Sequence, residues 1–211
     1  NKAYASFKNN DGTPLVNTTY SEQKWKDAAT AAKAVITAAE NSSEVRIALY
    51  RNDENGDGTF NPYKSVRNVH LEKWNCEVLW AVTKCDANGF EKHACPRPGG
   101  WNGMAPTQRL VDAFYMANGY TIDDEEGGYV EEGFADEAHS NWLNDNVNEI
   151  RDGNSWGHRK GEWNMYANRE ARFYASILYN GHPVLQVAAA DRDIYSSEKN
   201  KDGWGRVELY G

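Results

Sequence analysis

The chain has 211 residues, 40% of them apolar and 26% charged, which is enough for one domain with a substantial core and too apolar for disorder. Its net charge is −8 and it has no Lys/Arg run, so it offers neither a phosphate-tracking surface for nucleic acid nor a basic face for an anionic membrane. No stretch reaches the roughly 18 apolar residues of a membrane span.

Eight Trp, twelve Tyr and eighteen Gly suggest flat side chains displayed on loops, which suits binding of a neutral ligand such as a sugar. The competing reading is that most of these rings fill the core. The sequence opens at Asn1-Lys2-Ala3-Tyr4 without an initiator Met, signal or lipidation motif, and stops after the strand-like Gly205–Leu209. It therefore reads as an internal fragment.

In chain order, the clearest predicted helix runs from Glu22 to Glu40. Ser21 is its expected N-cap, and Tyr20 and Trp25 stand at the positions of a hydrophobic staple. Trp25, Ala28, Ala29, Ala32, Val35, Ile36 and Ala39 recur at helical spacing, and the Ala-rich face would let a neighbouring helix approach closely. A polar turn-rich loop follows at 51–62, then a second helix over Ser65–Trp74 and a buried strand or helix continuation over Glu77–Thr83. Residues 84–105 read as loop, because Pro96, Pro98, Gly99, Gly100 and Gly103 exclude regular structure. A helix is predicted from Pro106 to Ala117, capped by Thr107, with Leu110, Val111 and Phe114 as its inner stripe. The stretch 118–164 is acidic, glycine-punctuated and aromatic, with one helix expected near Asp136–Asn144; so long an irregular segment is usually functional. Arg169–Phe173 reads as a helical turn, Tyr174–Leu178 as a strand ending at Asn180-Gly181, and Val184–Ala189 as its hairpin partner.

Several segments, taken together and in order, carry a family likeness. They are Tyr4-Ala5-Ser6-Phe7 with Asp11-Gly12, the Tyr20-to-Glu40 helix, and Trp74-Asn75-Cys76-Glu77-Val78-Leu79-Trp80-Ala81. Ala105-Pro106-Thr107-Gln108 through Phe114 and Asn168-Arg169-Glu170-Ala171-Arg172-Phe173-Tyr174-Ala175 complete the set. In these residues the chain resembles the RagB/SusD family of Bacteroidetes outer-membrane glycan-binding lipoproteins, with one departure at Ala171, where the family usually places Pro. The resemblance implies a mainly α fold, with tetratricopeptide-type helix pairs, a long loop-rich region and a few short strands. Residues 1–83 would close the helical-repeat part and 84–211 would form the loop-rich ligand-binding part. It further implies a surface-exposed outer-membrane lipoprotein, anchored by a lipid outside this fragment. Such a protein captures oligosaccharide or polysaccharide and hands it to a TonB-dependent, SusC-like transporter.

Sugar binding needs a flat apolar face for the C–H side of a pyranose and polar groups at its rim. The loops offer Trp101, Tyr129, Trp142 and Trp156, with Asn102, Asn154 and His158 as hydrogen-bond partners. A scaffold role competes for each ring, and for Trp101 and Trp163 in particular because they adjoin the family motifs. Asp53-x-Asn55-x-Asp57-Gly58 opens like an EF-hand loop, making calcium the candidate ion with Asp53, Asn55 and Asp57 as ligands. The twelfth position is Lys64 rather than Glu, and an Asx-rich turn explains the same residues. No cofactor is required. Cys76, Cys85 and Cys95 are odd in number, so one disulfide with a free thiol and three thiols both remain open.

The rival class is a glycoside hydrolase, with carboxylates drawn from Asp123-Asp124-Glu125-Glu126 and Glu131-Glu132. Runs of acids on a loop are normally solvated surface, and no His-x-x-x-His, Gly-x-Ser-x-Gly or phosphate-binding loop occurs. A helical scaffold without a glycan ligand, or a peptide-uptake variant of the family, is the third reading.

Overall fold

A computed structural model describes residues 4–43, 47–52, 58–84, 87–94, 101, 103–144, 146–179, 181 and 182. It divides into two units, Asn1–Leu49 and Tyr50–Gly211. The architecture is mainly helical: α1 (Glu22–Asn41), α2 (Pro62–Asn68), α3 (Ala87–Ala94), α4 (Gln108–Asp112), α5 (Val147–Asp152) and α6 (Ala171–Ser176), with 3-10 turns at Glu125–Gly127 and Asn164–Tyr166. Among the described residues the expected short strands reduce to isolated antiparallel bridges, at Lys8–Pro14, Met116–Arg169 and Phe134–Trp163.

In the first unit, α1 forms where the apolar periodicity places it. Ala-rich composition and two i,i+4 pairs favour it, Glu22–Lys26 at 2.8 Å and Gln23–Asp27 at 2.7 Å. Ser21 occupies the N-cap position, but its side chain makes no capping bond. Tyr20 and Trp25 stand in solvent rather than closing a staple, and α1 buries none of its residues within the unit.

The second unit holds the core. Asn61 accepts from the Lys64 amide at 2.9 Å and Pro62 supplies a pre-set φ in the first turn, so α2 starts at 62 and is complete by Asn68. The chain then turns, and Trp74 adopts φ +59°. No regular element follows over 77–83; Leu79, Trp80 and Val82 are exposed there. Within the expected loop 84–105, residues 87–94 are helical instead.

Thr107 caps α4 through the Leu110 amide, but α4 stops five residues before Ala117. The reason is tertiary: residues 115–117 leave the helix to pair with 168–170, through Ala117 N–H to the Asn168 carbonyl (2.7 Å) and Glu170 N–H to the Tyr115 carbonyl (3.0 Å). Val111 is buried, while Leu110 faces out. The helix expected over 136–144 is absent; turns occupy that stretch, and α5 forms later, capped by Asn146 and ended by Gly153 at φ +74°.

Residues 171–176 are helical where a strand was expected from 174. Burial falls on Ala171, Phe173, Tyr174 and Ile177, which is helical spacing rather than alternation. Ala171, the departure from the family pattern, is the first residue of α6, a position where Pro and Ala both fit. Val184–Ala189 lies outside the described residues. α6 packs on α2, and Tyr63, Val111, Phe173, Tyr174, Ile177 and Tyr179 form the core, flanked by Phe114, Trp156 and Tyr166.

Candidate functional site

Arg169 is the hub that fixes the aromatic loops to this core. Its side chain is 0% exposed, which is rare for a guanidinium without a carboxylate partner. Its NH2 donates to the carbonyls of Val111 (2.8 Å) and Phe114 (2.9 Å), and its NH1 to that of Met165 (3.1 Å). Val111 is in the last turn of α4 and Phe114 follows its C-cap Ala113, so the guanidinium sits at the helix end where the dipole favours a cation. The Val111 carbonyl also accepts the Ala113 and Phe114 amides. The guanidinium carbon lies 4.9 Å from the Phe173 ring centroid and 5.6 Å from that of Tyr129. Burial pushes the Arg169 pKa down, and the neighbouring Tyr129 and Tyr174 hydroxyls act in the opposite direction. Tyr174 completes the corner: its hydroxyl accepts the Arg169 amide at 3.1 Å and donates to the Tyr166 carbonyl at 2.7 Å.

The ring candidates fall into three settings. Tyr129 is half-buried beneath Arg169, and burial raises its hydroxyl pKa, with Glu131 adding to the effect. Trp142 and Trp156 share one system of turns. The Trp142 amide donates to the His139 carbonyl at 2.8 Å, and the Trp156 amide to that of Asn141 at 3.2 Å. Trp142 is half-buried with the Arg159 guanidinium 5.8 Å from its ring centroid. Trp156 is also half-buried, stacked on Tyr63 at 5.8 Å with 4° between the planes and flanked by His139 at 5.0 Å, so the scaffold packs against its ring. Trp101 is 62% exposed and belongs with α3, its amide bonded to the Lys92 carbonyl and its ring edge-on to His93 at 4.7 Å.

Of the polar partners, Asn154 accepts from Lys64 Nζ at 3.3 Å. His158 is buried and bonds main-chain groups. Asn102 lies outside the described residues, as do Asp53, Asn55 and Asp57 of the candidate calcium loop. Lys64, at the twelfth position of that loop, is a buried residue of α2. Cys76 carries a free thiol, and Cys85 and Cys95 are outside the described residues.

Sequence reasoning passed over Phe134 and Arg159. Phe134 is 66% exposed and edge-on to Trp163 at 5.3 Å, and the bridge between those two residues holds the pair. Its only sequence signal is an aromatic directly after Gly133. Arg159 is joined to Glu162 at 2.7 Å as well as facing Trp142, a pairing that spans 17 positions and has no periodic signature.

A family model described as the SusD family matches residues 76–208, which include Trp101, Tyr129, Trp142, Trp156 and the Arg169 corner. The chain belongs to the SusD family. Membership places it among glycan-binding proteins of nutrient uptake. No curated protein matches the chain. Among the described residues, no helix is long and apolar enough to cross a membrane and no His/Cys/Asp/Glu group is arranged to hold a metal.

Proposed function

We propose that this SusD-family chain captures a neutral oligosaccharide or polysaccharide at the outer-membrane surface and delivers it, unconverted, to a TonB-dependent SusC-like transporter. The observation that carries the reading is the family match over 76–208. The settings of Tyr129 and Trp142 support it: each ring is half-buried and backed by a guanidinium on one side, which keeps a flat apolar surface rigid at low entropy cost. Trp101 and Phe134 add exposed rings. Neutral ligands are favoured because Asp123, Asp124, Glu125, Glu126, Glu131 and Glu132, on both sides of Tyr129 in sequence, are all exposed and repel anionic sugars.

Those exposed acids suit hydrolysis poorly. Asp124 is held by Thr121, whose bonds lower its pKa, whereas a general acid needs a raised one. Glu162 does have a raised pKa, caused by burial, but Arg159 and Tyr179 occupy its oxygens.

The test is retention of labelled polysaccharides by the intact protein. Tyr129→Ala with Trp142→Ala is expected to weaken a retained neutral glycan at least about tenfold, the loss of roughly 1.5 kcal/mol of ring contact. Undiminished binding by the double variant refutes the platform assignment. Release of reducing sugar that disappears on amide replacement within 123–132 establishes the hydrolase instead. Retention of peptides and of no glycan establishes the peptide-uptake reading.

A further inference from the structure

His139 and His158 form a buried pair that sugar capture leaves unused. They are 5% and 2% exposed, with ring centroids 5.8 Å apart and planes nearly perpendicular. Trp156 and Tyr174 pack against His139 at 5.0 and 5.7 Å. Each imidazole serves as an acceptor for a backbone amide: Asn141 N–H donates to His139 Nδ1 at 3.1 Å, and Asn168 N–H to His158 Nδ1 at 3.2 Å. A ring whose Nδ1 accepts is neutral, with its hydrogen on Nε2. His158 Nε2 lies 3.1 Å from the Glu137 carbonyl, the partner this tautomer requires. The two main chains are tied as well, His139 N–H donating to the His158 carbonyl at 2.9 Å.

Both amides sit at corners. Asn141 is in the turn that presents Trp142, whose amide bonds the His139 carbonyl. Asn168 has φ +52°, and its carbonyl receives Ala117 across the bridge beside Arg169. One imidazole therefore fastens the Trp142 turn and the other the Asn168 corner.

A proton added at either Nδ1 turns the acceptor into a donor facing a donor, inside a site that disfavours charge. Relief would have to come from nearby charges. Tyr174 touches both rings, with its hydroxyl 3.5 Å from His158 Nδ1. Behind it, the Arg169 amide bonds the Tyr174 hydroxyl and His182 the Tyr174 carbonyl. Glu162 and Tyr179 bond one another, and Glu162 is paired with Arg159. On the α2 side, Tyr63 stacks on Trp156, which packs against His139, and Lys64 Nζ bonds Asn154. Among the described residues, no carboxylate hydrogen-bonds either imidazole. Burial accordingly holds both rings below the ordinary histidine pKa, His139 down to about 4, helped by its neighbour His158.

We propose that His139 and His158 form an acid-operated latch, whose neutral rings clasp the Trp142 turn and the Asn168 corner and whose protonation frees both while the α2–α6 core stays folded. The latch holds whether or not Trp142 meets a sugar.

Residue-resolved amide exchange on the intact protein, from pH 7 to pH 4 and expressed as protection factors, tests it together with imidazole ¹⁵N shifts. At pH 7 both rings are expected as the Nε2–H tautomer. On acidification the Asn141, Trp142 and Asn168 amides lose roughly tenfold or more in protection, while Phe173 and Ile177 in and after α6 keep theirs. In His139→Asn, whose Oδ1 accepts the Asn141 amide without titrating, the acid step at Asn141 disappears and that at Asn168 remains. Loss of all amides together, no loss at the two corners, or a persisting Asn141 step in the folded variant overturns the proposal.

Discussion

Replacing Arg169 by Met removes the guanidinium while keeping most of the stem volume. Three carbonyls lose bonds of 2.8, 2.9 and 3.1 Å. Those of Phe114 and Met165 cost about 1–3 kcal/mol each, and that of Val111 less, because it still accepts the Ala113 and Phe114 amides. Contacts to the Phe173 and Tyr129 rings go as well, about 1 kcal/mol apiece. Relief from burying a charge offsets several kcal/mol of this total. That relief is substantial here, because burial disfavours the charged form and the Nε hydrogen finds no acceptor among the described residues. The net expectation for Arg169→Met is a loss of about 3–5 kcal/mol. Arg169→Lys keeps the charge but not the planar fork, and is expected to lose about 2 kcal/mol. Urea unfolding of the intact protein followed by circular dichroism measures both, with an unchanged m-value confirming that only stability moved. A Met variant within about 1 kcal/mol of the parent refutes the reasoning. So does a Lys variant less stable than the Met one, since buried charge rather than carbonyl bonding would then dominate.

Stability should fall on acidification through the histidine window. The folded-state pKa of His139 is lowered to about 4 from 6.5, so the unfolded chain takes the proton first. Its contribution is complete above about pH 6.5 and is lost towards pH 4, amounting to at most about 3 kcal/mol. Glu162, raised by burial, works in the opposite direction and trims the loss at the acid end. Urea midpoints that stay level from pH 7 to pH 4 contradict this. Gly127→Ala places a Cβ 2.7 Å from the Thr121 carbonyl oxygen and is expected to cost about 2 kcal/mol. Gly128→Ala meets nothing within 4 Å, and its φ of +69° costs only about 1 kcal/mol; equal unfolding midpoints for the two would disprove the clash. Chelation should leave the melting temperature unchanged within about 1 °C, since the candidate calcium loop offers Lys64 where a bidentate Glu is needed. A rise of several degrees on adding calcium reverses that expectation.

Local physics was legible in the chain. The Glu22–Asn41 helix follows from its Ala-rich periodicity, and Thr107 caps α4 as its hydroxyl and position require. Misjudged elements share a cause. α4 stops at Asp112 because residues 115–117 bond 168–170, and α6 is helical because its buried side chains meet α2; neither partner is near in sequence. In the candidate site, the aromatic loops were visible as composition. Which rings are backed, covered or open depended on Arg159, Arg169, Tyr63 and His139 arriving from elsewhere.

The sequence by itself determined the Glu22–Asn41 helix, the Thr107 cap and the aromatic, acidic stretch, because periodicity, capping and composition act over a few residues. The mainly helical class followed from the family resemblance that the motifs carry. Only the tertiary structure decided that Arg169 is the hub, that Trp156 is claimed by Tyr63 and His139, and that two imidazoles hold the corners of the loops. Those outcomes come from burial, which removes water as a competing partner and leaves each polar group dependent on whichever neighbour the fold brings to it.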